Sequence, residues 1–98
     1  EKIFKACPCI YKYVQNNKII YIGKSLLLKE RVKQHKEDKL KNFIGDIYYF
    51  VCDSKTDMDM LEYVLINKYH PLYNKQYKNF NVKTDMQEPE WILYEEEE

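Results

Sequence analysis

Glu62 is the residue whose placement most needs a chemical explanation. On a helix advancing about 100° per residue, its neighbours on one face are Met58, Leu65, Ile66 and Tyr69, so a carboxylate stands inside an apolar stripe. Such a carboxylate is costly to ionise unless it is paired, hydrogen-bonded, bound to a metal or able to reach water at the edge of the stripe; otherwise it is held protonated. Arg31 and His35 stand four apart in a helix-forming run and therefore share a face. There a planar cation and an imidazole can meet one phosphate, the plain alternative being a solvated helix surface. Lys24 directly follows Gly23 at the point where a strand gives way to a helix, whose first amides favour an anion. Gly23-Lys24-Ser25 lacks the earlier glycine of a nucleotide-binding P-loop, which argues against that chemistry and leaves a single phosphate contact open.

The elements that must position these residues read as strand, strand, helix, strand, helix. CIYKYVQ and KIIYIG are rich in β-branched and aromatic residues and flank Asn16-Asn17, which is turn chemistry, so a hairpin is expected up to Gly23. The good helix formers of residues 26–39 follow, with Ser25 in front as a candidate N-cap. After a polar link containing Gly45, DIYYFVC over residues 46–52 has the content of a buried third strand. A second helix is expected over residues 57–69, opened by a Thr56/Asp59 capping box and closed by Pro71. The economical arrangement is α+β: a small antiparallel or mixed three-stranded sheet covered by helices.

Ninety-eight residues suit one domain, and 45% apolar content with only two glycines suits a folded one. No apolar run approaches the ~20 residues of a membrane helix, so no membrane partner is expected. Three cysteines, Cys7, Cys9 and Cys52, fit neither a disulfide framework nor the paired ligands of structural zinc, and point to an intracellular setting in cytoplasm or nucleus. The zero net charge hides an asymmetry: residues 1–84 hold all 16 Lys/Arg against 9 acids, and residues 85–98 hold 7 acids and no base. The first segment is read as the domain and can meet a polyanion. The second is read as an acidic tail with one apolar docking patch at residues 91–94.

Taken together, CIY at 9–11, YIG at 21–23, Lys24, Arg31, His35, Glu62 and Asn74 resemble the GIY-YIG nuclease family over residues 9–75. Cys9 stands where the family name has its first glycine. The resemblance implies a three-stranded antiparallel sheet flanked by helices, and hydrolysis of DNA phosphodiester bonds with one divalent metal, Mg²⁺ or Mn²⁺. By the same resemblance Glu62 holds the metal. Tyr11 helps activate the attacking water, although its ordinary pKa near 10 makes it a poor base, so Lys24 and Arg31 are expected to favour its phenolate. Arg31 also meets developing phosphoryl charge, Tyr21 positions water or phosphate, His35 shares the proton work or hydrogen-bonds a phosphate, and Asn74 orients Glu62 or substrate. Gly23, Lys24, Arg31, Asn74 and Lys75 line the substrate. Tyr13, Tyr48 and Tyr49 read as packing.

A plain two-residue turn would pair Tyr11 with Ile22 and put Tyr11 and Tyr21 on opposite sheet faces. A shared site therefore demands a β-bulge or an odd-length loop in the hairpin. Two other classes stay open: a DNA-binding module on the same fold that does not cut, and a protein-interaction domain. A domain this small offers little surface for reading bases, so a further DNA-binding domain or protein partner is expected to supply specificity.

Overall fold

The computed structural model describes residues 6–74 and 87–96. Strands β1 (Cys9–Gln15) and β2 (Lys18–Ser25) form the hairpin, followed by helix α1 (Leu28–His35), strand β3 (Asp46–Val51), helix α2 (Lys55–Tyr69) and a two-residue strand β4 (Ile92–Leu93). The sheet runs β2-β1-β3-β4 and every pairing is antiparallel. The α+β reading holds, with four strands in place of three. The extra strand pairs Ile92 with Tyr49 and Leu93 with Tyr48, and two residues are too few to show an alternating pattern.

The hairpin carries the bulge that a shared tyrosine face requires. Asn16 and Asn17 both take positive φ, 55° and 64°, as a tight two-residue turn whose twist matches the strands demands. Val14 pairs with Ile19, but the register then shifts, so that Tyr13 faces Tyr21 and Tyr11 faces Gly23. The inserted residue is Ile20. It returns Tyr21 to the face of Tyr11 and Tyr13.

Each sheet face carries its own apolar cluster. Cys9, Tyr11, Tyr13 and Ile20 pack with Leu28 and Val32 of α1, Leu40 and Tyr94. Ile10, Ile22 and Cys52 pack with Met58, Leu61, Leu65 and Ile66 of α2. β1 is thus buried on both sides, which explains why CIYKYVQ is nearly unbroken in apolar and aromatic residues.

The helix boundaries differ from the sequence reading in instructive ways. α1 begins two residues later than expected and ends at His35; Ser25 stays in β2, its Oγ accepting from Leu27 N at 2.9 Å before the helix starts. α2 is capped by Ser54, whose Oγ accepts from Asp57 N at 3.1 Å, rather than by Thr56. The capping signature is therefore Ser54/Asp57, two residues ahead. His70 ends α2 in the left-handed region, φ 46°, and donates its N–H to Ile66, with Pro71 directly after. β3 stops at Val51, one residue short of the expected end. All three cysteines are free, and burial pushes the Cys9 thiol up to about 12, which keeps it protonated at neutral pH. No helix among the described residues is long and apolar enough to cross a membrane.

Candidate active site

The sheet face under α1 gathers three tyrosines around one imidazole. Tyr11 is fully buried and His35 is 4% exposed. The Tyr11 hydroxyl lies 2.8 Å from His35 Nε2. Ring centroids of Tyr11, Tyr13 and Tyr21 stand 5.8, 5.5 and 5.1 Å from that of His35. Tyr13 is a packing residue, as expected, edge-on to Phe43 at 4.8 Å.

Gly23 has a specific reason to be glycine: a Cβ there would collide with the hydroxyl and Cζ of Tyr11. Tyr11 and Gly23 are cross-strand partners, and the phenol lies across the bare backbone. Gly23, expected to line the substrate, is thus the floor that fixes the Tyr11 ring.

The other half of the site comes from α2 on the opposite face. Glu62 is 4% exposed, so the apolar stripe does bury its carboxylate. Its Oε1 lies 3.5 Å from Lys24 Nζ, and the same ammonium lies 2.7 Å from Asp59 Oδ1 one helical turn earlier. Because β2 is an edge strand, groups from both faces meet around its free side; Glu62 is near enough to Tyr21 to disfavour the phenolate there. Lys24, Arg31, Met58 and Asp59 line a cleft of about 530 Å³ at this edge.

Asn74, expected to orient Glu62 or substrate, bonds the β2 backbone through both groups of its amide. Its Oδ1 accepts from Ile22 N and its Nδ2 donates to Ile22 O, both at 2.8 Å, while Tyr73 N donates to Ile20 O at 2.9 Å. The amide therefore acts as a surrogate strand on the exposed edge of β2, between Tyr21 and Gly23. Lys75 lies outside the described residues.

Electrostatics corrects one expectation. Burial, reinforced by Tyr21, pushes the Tyr11 phenol well above its ordinary value, and the opposing pull of Arg31 does not offset it. Tyr21 is raised too, again mainly by burial and against the opposing effect of its hydrogen bond with Tyr11 and the weaker pull of Arg31. Burial pushes His35 below its ordinary value despite the nearby Asp38 carboxylate. At neutral pH the pair is thus a neutral phenol facing a neutral imidazole, and the imidazole tautomer sets which of the two donates.

Among the described residues there is no group of three or more metal-ligating side chains. The donor set at the β2 edge is hard carboxylate oxygen, from Glu62 with Asp59 beside it. A hydrated, oxygen-seeking cation such as Mg²⁺, which keeps several waters and takes one or two carboxylates, fits it. Three residues were not read from the sequence as site residues: Asp38 beside His35, Asp59 on Lys24, and Lys39, whose Nζ stands 4.5 Å over the Tyr21 ring. Asp38 follows His35 by three and Asp59 precedes Glu62 by three, a helical spacing that gave a usable signal.

A family model described as the UvrC-like GIY-YIG domain matches residues 7–75. UvrABC system protein C of Borrelia duttonii (strain Ly) is 37% identical over 86 residues, 81% of this chain and 14% of that protein. The protein of the same name from Bacteroides fragilis (strain YCH46) is 43% identical over 76 residues, 68% of this chain and 12% of that one. The chain therefore spans 14% or less of the length of these relatives. Among solved structures, the GIY-YIG N-terminal endonuclease domain of UvrC from Thermotoga maritima, bound to magnesium as its catalytic divalent cation, superposes with a TM-score of 0.64 at 27% identity, covering 76% of this chain and 92% of that one.

Proposed function

The chain belongs to the family of UvrC-like GIY-YIG domains, and from that premise we propose that it hydrolyses phosphodiester bonds in DNA with one divalent cation, inside the cell, as one part of a UvrABC-like repair system. The observation that carries the reading is the buried Tyr11–His35 hydrogen bond at 2.8 Å, set beside Arg31 and across the β2 edge from a buried Glu62. A phenol raised by burial is not a base by itself. Joined to a neutral imidazole it becomes a conduit: Tyr11 Oη takes a proton from the attacking water as its own proton moves to His35 Nε2. The water oxygen then bonds to phosphorus and the bond to the leaving sugar oxygen breaks.

Glu62 is the residue that would hold the cation, Mg²⁺ or Mn²⁺, which when bound neutralises charge on the scissile phosphate. Arg31, whose charge already favours both phenolates, stabilises negative charge on the phosphoryl oxygens. Lys24 meets a phosphate from the mouth of the cleft, exchanging its contact with Asp59 for one with substrate. Tyr21 orients the water. DNA is the partner this requires, and a further DNA-binding domain or protein supplies the specificity that so small a surface lacks.

A second reading, a DNA-binding module that does not cut, is disfavoured by the joint presence of Tyr11, Tyr21, Arg31, His35 and Glu62. Incubating the chain with duplex, flapped and single-stranded DNA in Mg²⁺, Mn²⁺ or EDTA separates the two. Cleavage in either metal and none in EDTA is expected; DNA retained but uncut under every condition would establish the second reading.

A further inference from the structure

Among the described residues two side chains hydrogen-bond to the His35 imidazole, and the one away from Tyr11 is Asp38. Its Nδ1 lies 3.1 Å from Asp38 Oδ2 and 3.4 Å from Oδ1. Asp38 is not a loosely held surface acid, although it is largely exposed. Its own N–H donates to His35 O at 3.3 Å, and its Oδ1 accepts from Leu40 N at 3.1 Å. The backbone bond ties the residue to the imidazole it faces, and the Leu40 bond leaves Oδ2 directed at Nδ1. An acid just past a helix C-terminus is unfavourable for the helix itself, since the last carbonyls repel it, so helix stability does not account for its presence.

We propose that Asp38 is a positioning residue that fixes the tautomer of His35, holding the proton on Nδ1 so that the lone pair of Nε2 faces Tyr11. A carboxylate only accepts, so Nδ1 must carry hydrogen; a neutral imidazole has one N–H, so Nε2 is bare. Tyr11 then donates its hydroxyl proton to Nε2 across the 2.8 Å contact. As Tyr11 gains the water's proton and releases its own, His35 becomes an imidazolium, and the Asp38 charge stabilises that product state. The opposite tautomer would set a nitrogen lone pair against the carboxylate and leave Tyr11 no acceptor on His35. The other groups near the imidazole do not compete for Nδ1: Tyr13 and Tyr21 meet the ring through their faces and edges, and Arg31 and Lys39 bear on it only through their charge.

This role rests on the nuclease reading of the Tyr11 site, so the test includes a readout that needs no cleavage. In the ¹⁵N-histidine-labelled chain, the imidazole shifts of His35, assigned against His35→Gln, should show hydrogen on Nδ1 at neutral pH, in the wild type and in Tyr11→Phe. Asp38→Ala should populate the Nε2–H form and lower kcat by about ten- to hundredfold with KM for DNA little changed, a modest share of the usual general-base contribution. Asp38→Asn, whose side-chain carbonyl still accepts from Nδ1, should keep the tautomer and recover part of the rate. Urea midpoints of each variant separate a loosened turn at Leu40 from an altered imidazole. A wild-type His35 protonated on Nε2, or an Asp38→Ala variant with unchanged tautomer and rate, overturns the role of Asp38 with the nuclease reading intact. A wild type of the expected tautomer that cuts no DNA overturns the nuclease reading instead.

Discussion

In the proposed mechanism Tyr11 and His35 divide one task that neither performs alone, because the burial that orders the phenol also suppresses its ionisation. The imidazole shows the same trade in its stability. Its folded pKa is lowered by burial, so the unfolded chain binds more protons near its ordinary value of about 6.5. The stabilisation is then full above that value and is lost as pH falls through it toward the lower folded value. Urea midpoints measured from pH 7.5 to pH 5 should fall more steeply for the wild type than for His35→Gln; parallel curves would show that His35 does not titrate as a buried base. At this scale the sequence was readable where a residue broke a pattern. Glu62 in an apolar stripe announced itself, and it is buried. Asp38 and Asp59 stand three residues from His35 and Glu62, a spacing that offered a signal, but exposed acids also read as ordinary solvated surface, and only the structure shows what they touch.

At the scale of elements, the hairpin does the positioning. One inserted residue, Ile20, moves Tyr21 to the face of Tyr11, and the need for such a shift followed from the period of a strand, although its position did not. Gly23 completes the arrangement by leaving room for the phenol. Gly23→Ala should lower cleavage by roughly a hundredfold, the scale of a catalytic group displaced by about an ångström, and overpacking should cost ~1–3 kcal/mol of stability. A variant with wild-type rate and midpoint would show that Tyr11 does not depend on that gap. Ser54→Ala should cost about 1 kcal/mol by removing the α2 cap, measured by urea denaturation, whereas Thr56→Ala should cost little. Both hydroxyl residues were visible in the sequence, and pattern alone could not choose between caps two residues apart. β4 escaped for a related reason: a two-residue edge strand has no periodicity to read.

Across the whole molecule, the two charge-bearing segments touch. Lys36 Nζ meets Glu96 at 2.7 Å and Lys68 Nζ meets Glu88 at 3.0 Å, while Tyr94 is buried in the cluster under α1. Such exposed pairs contribute little to stability, but they set acids against lysines that a polyanion would otherwise meet. We expect removal of residues 95–98 to strengthen DNA binding at low salt, the difference fading as ionic strength rises. Equal affinities at low salt would remove any competition by the glutamates. Under the proposed function this sheet edge is a metal-dependent nuclease centre with Glu62 as its cation-holding residue. Its most direct test is Glu62→Gln, which removes the charge and keeps the shape, assayed for nicking of supercoiled DNA in Mg²⁺ alongside its urea midpoint. A midpoint near that of the wild type with nicking abolished is the predicted result; nicking by Glu62→Gln at the wild-type rate would contradict the account.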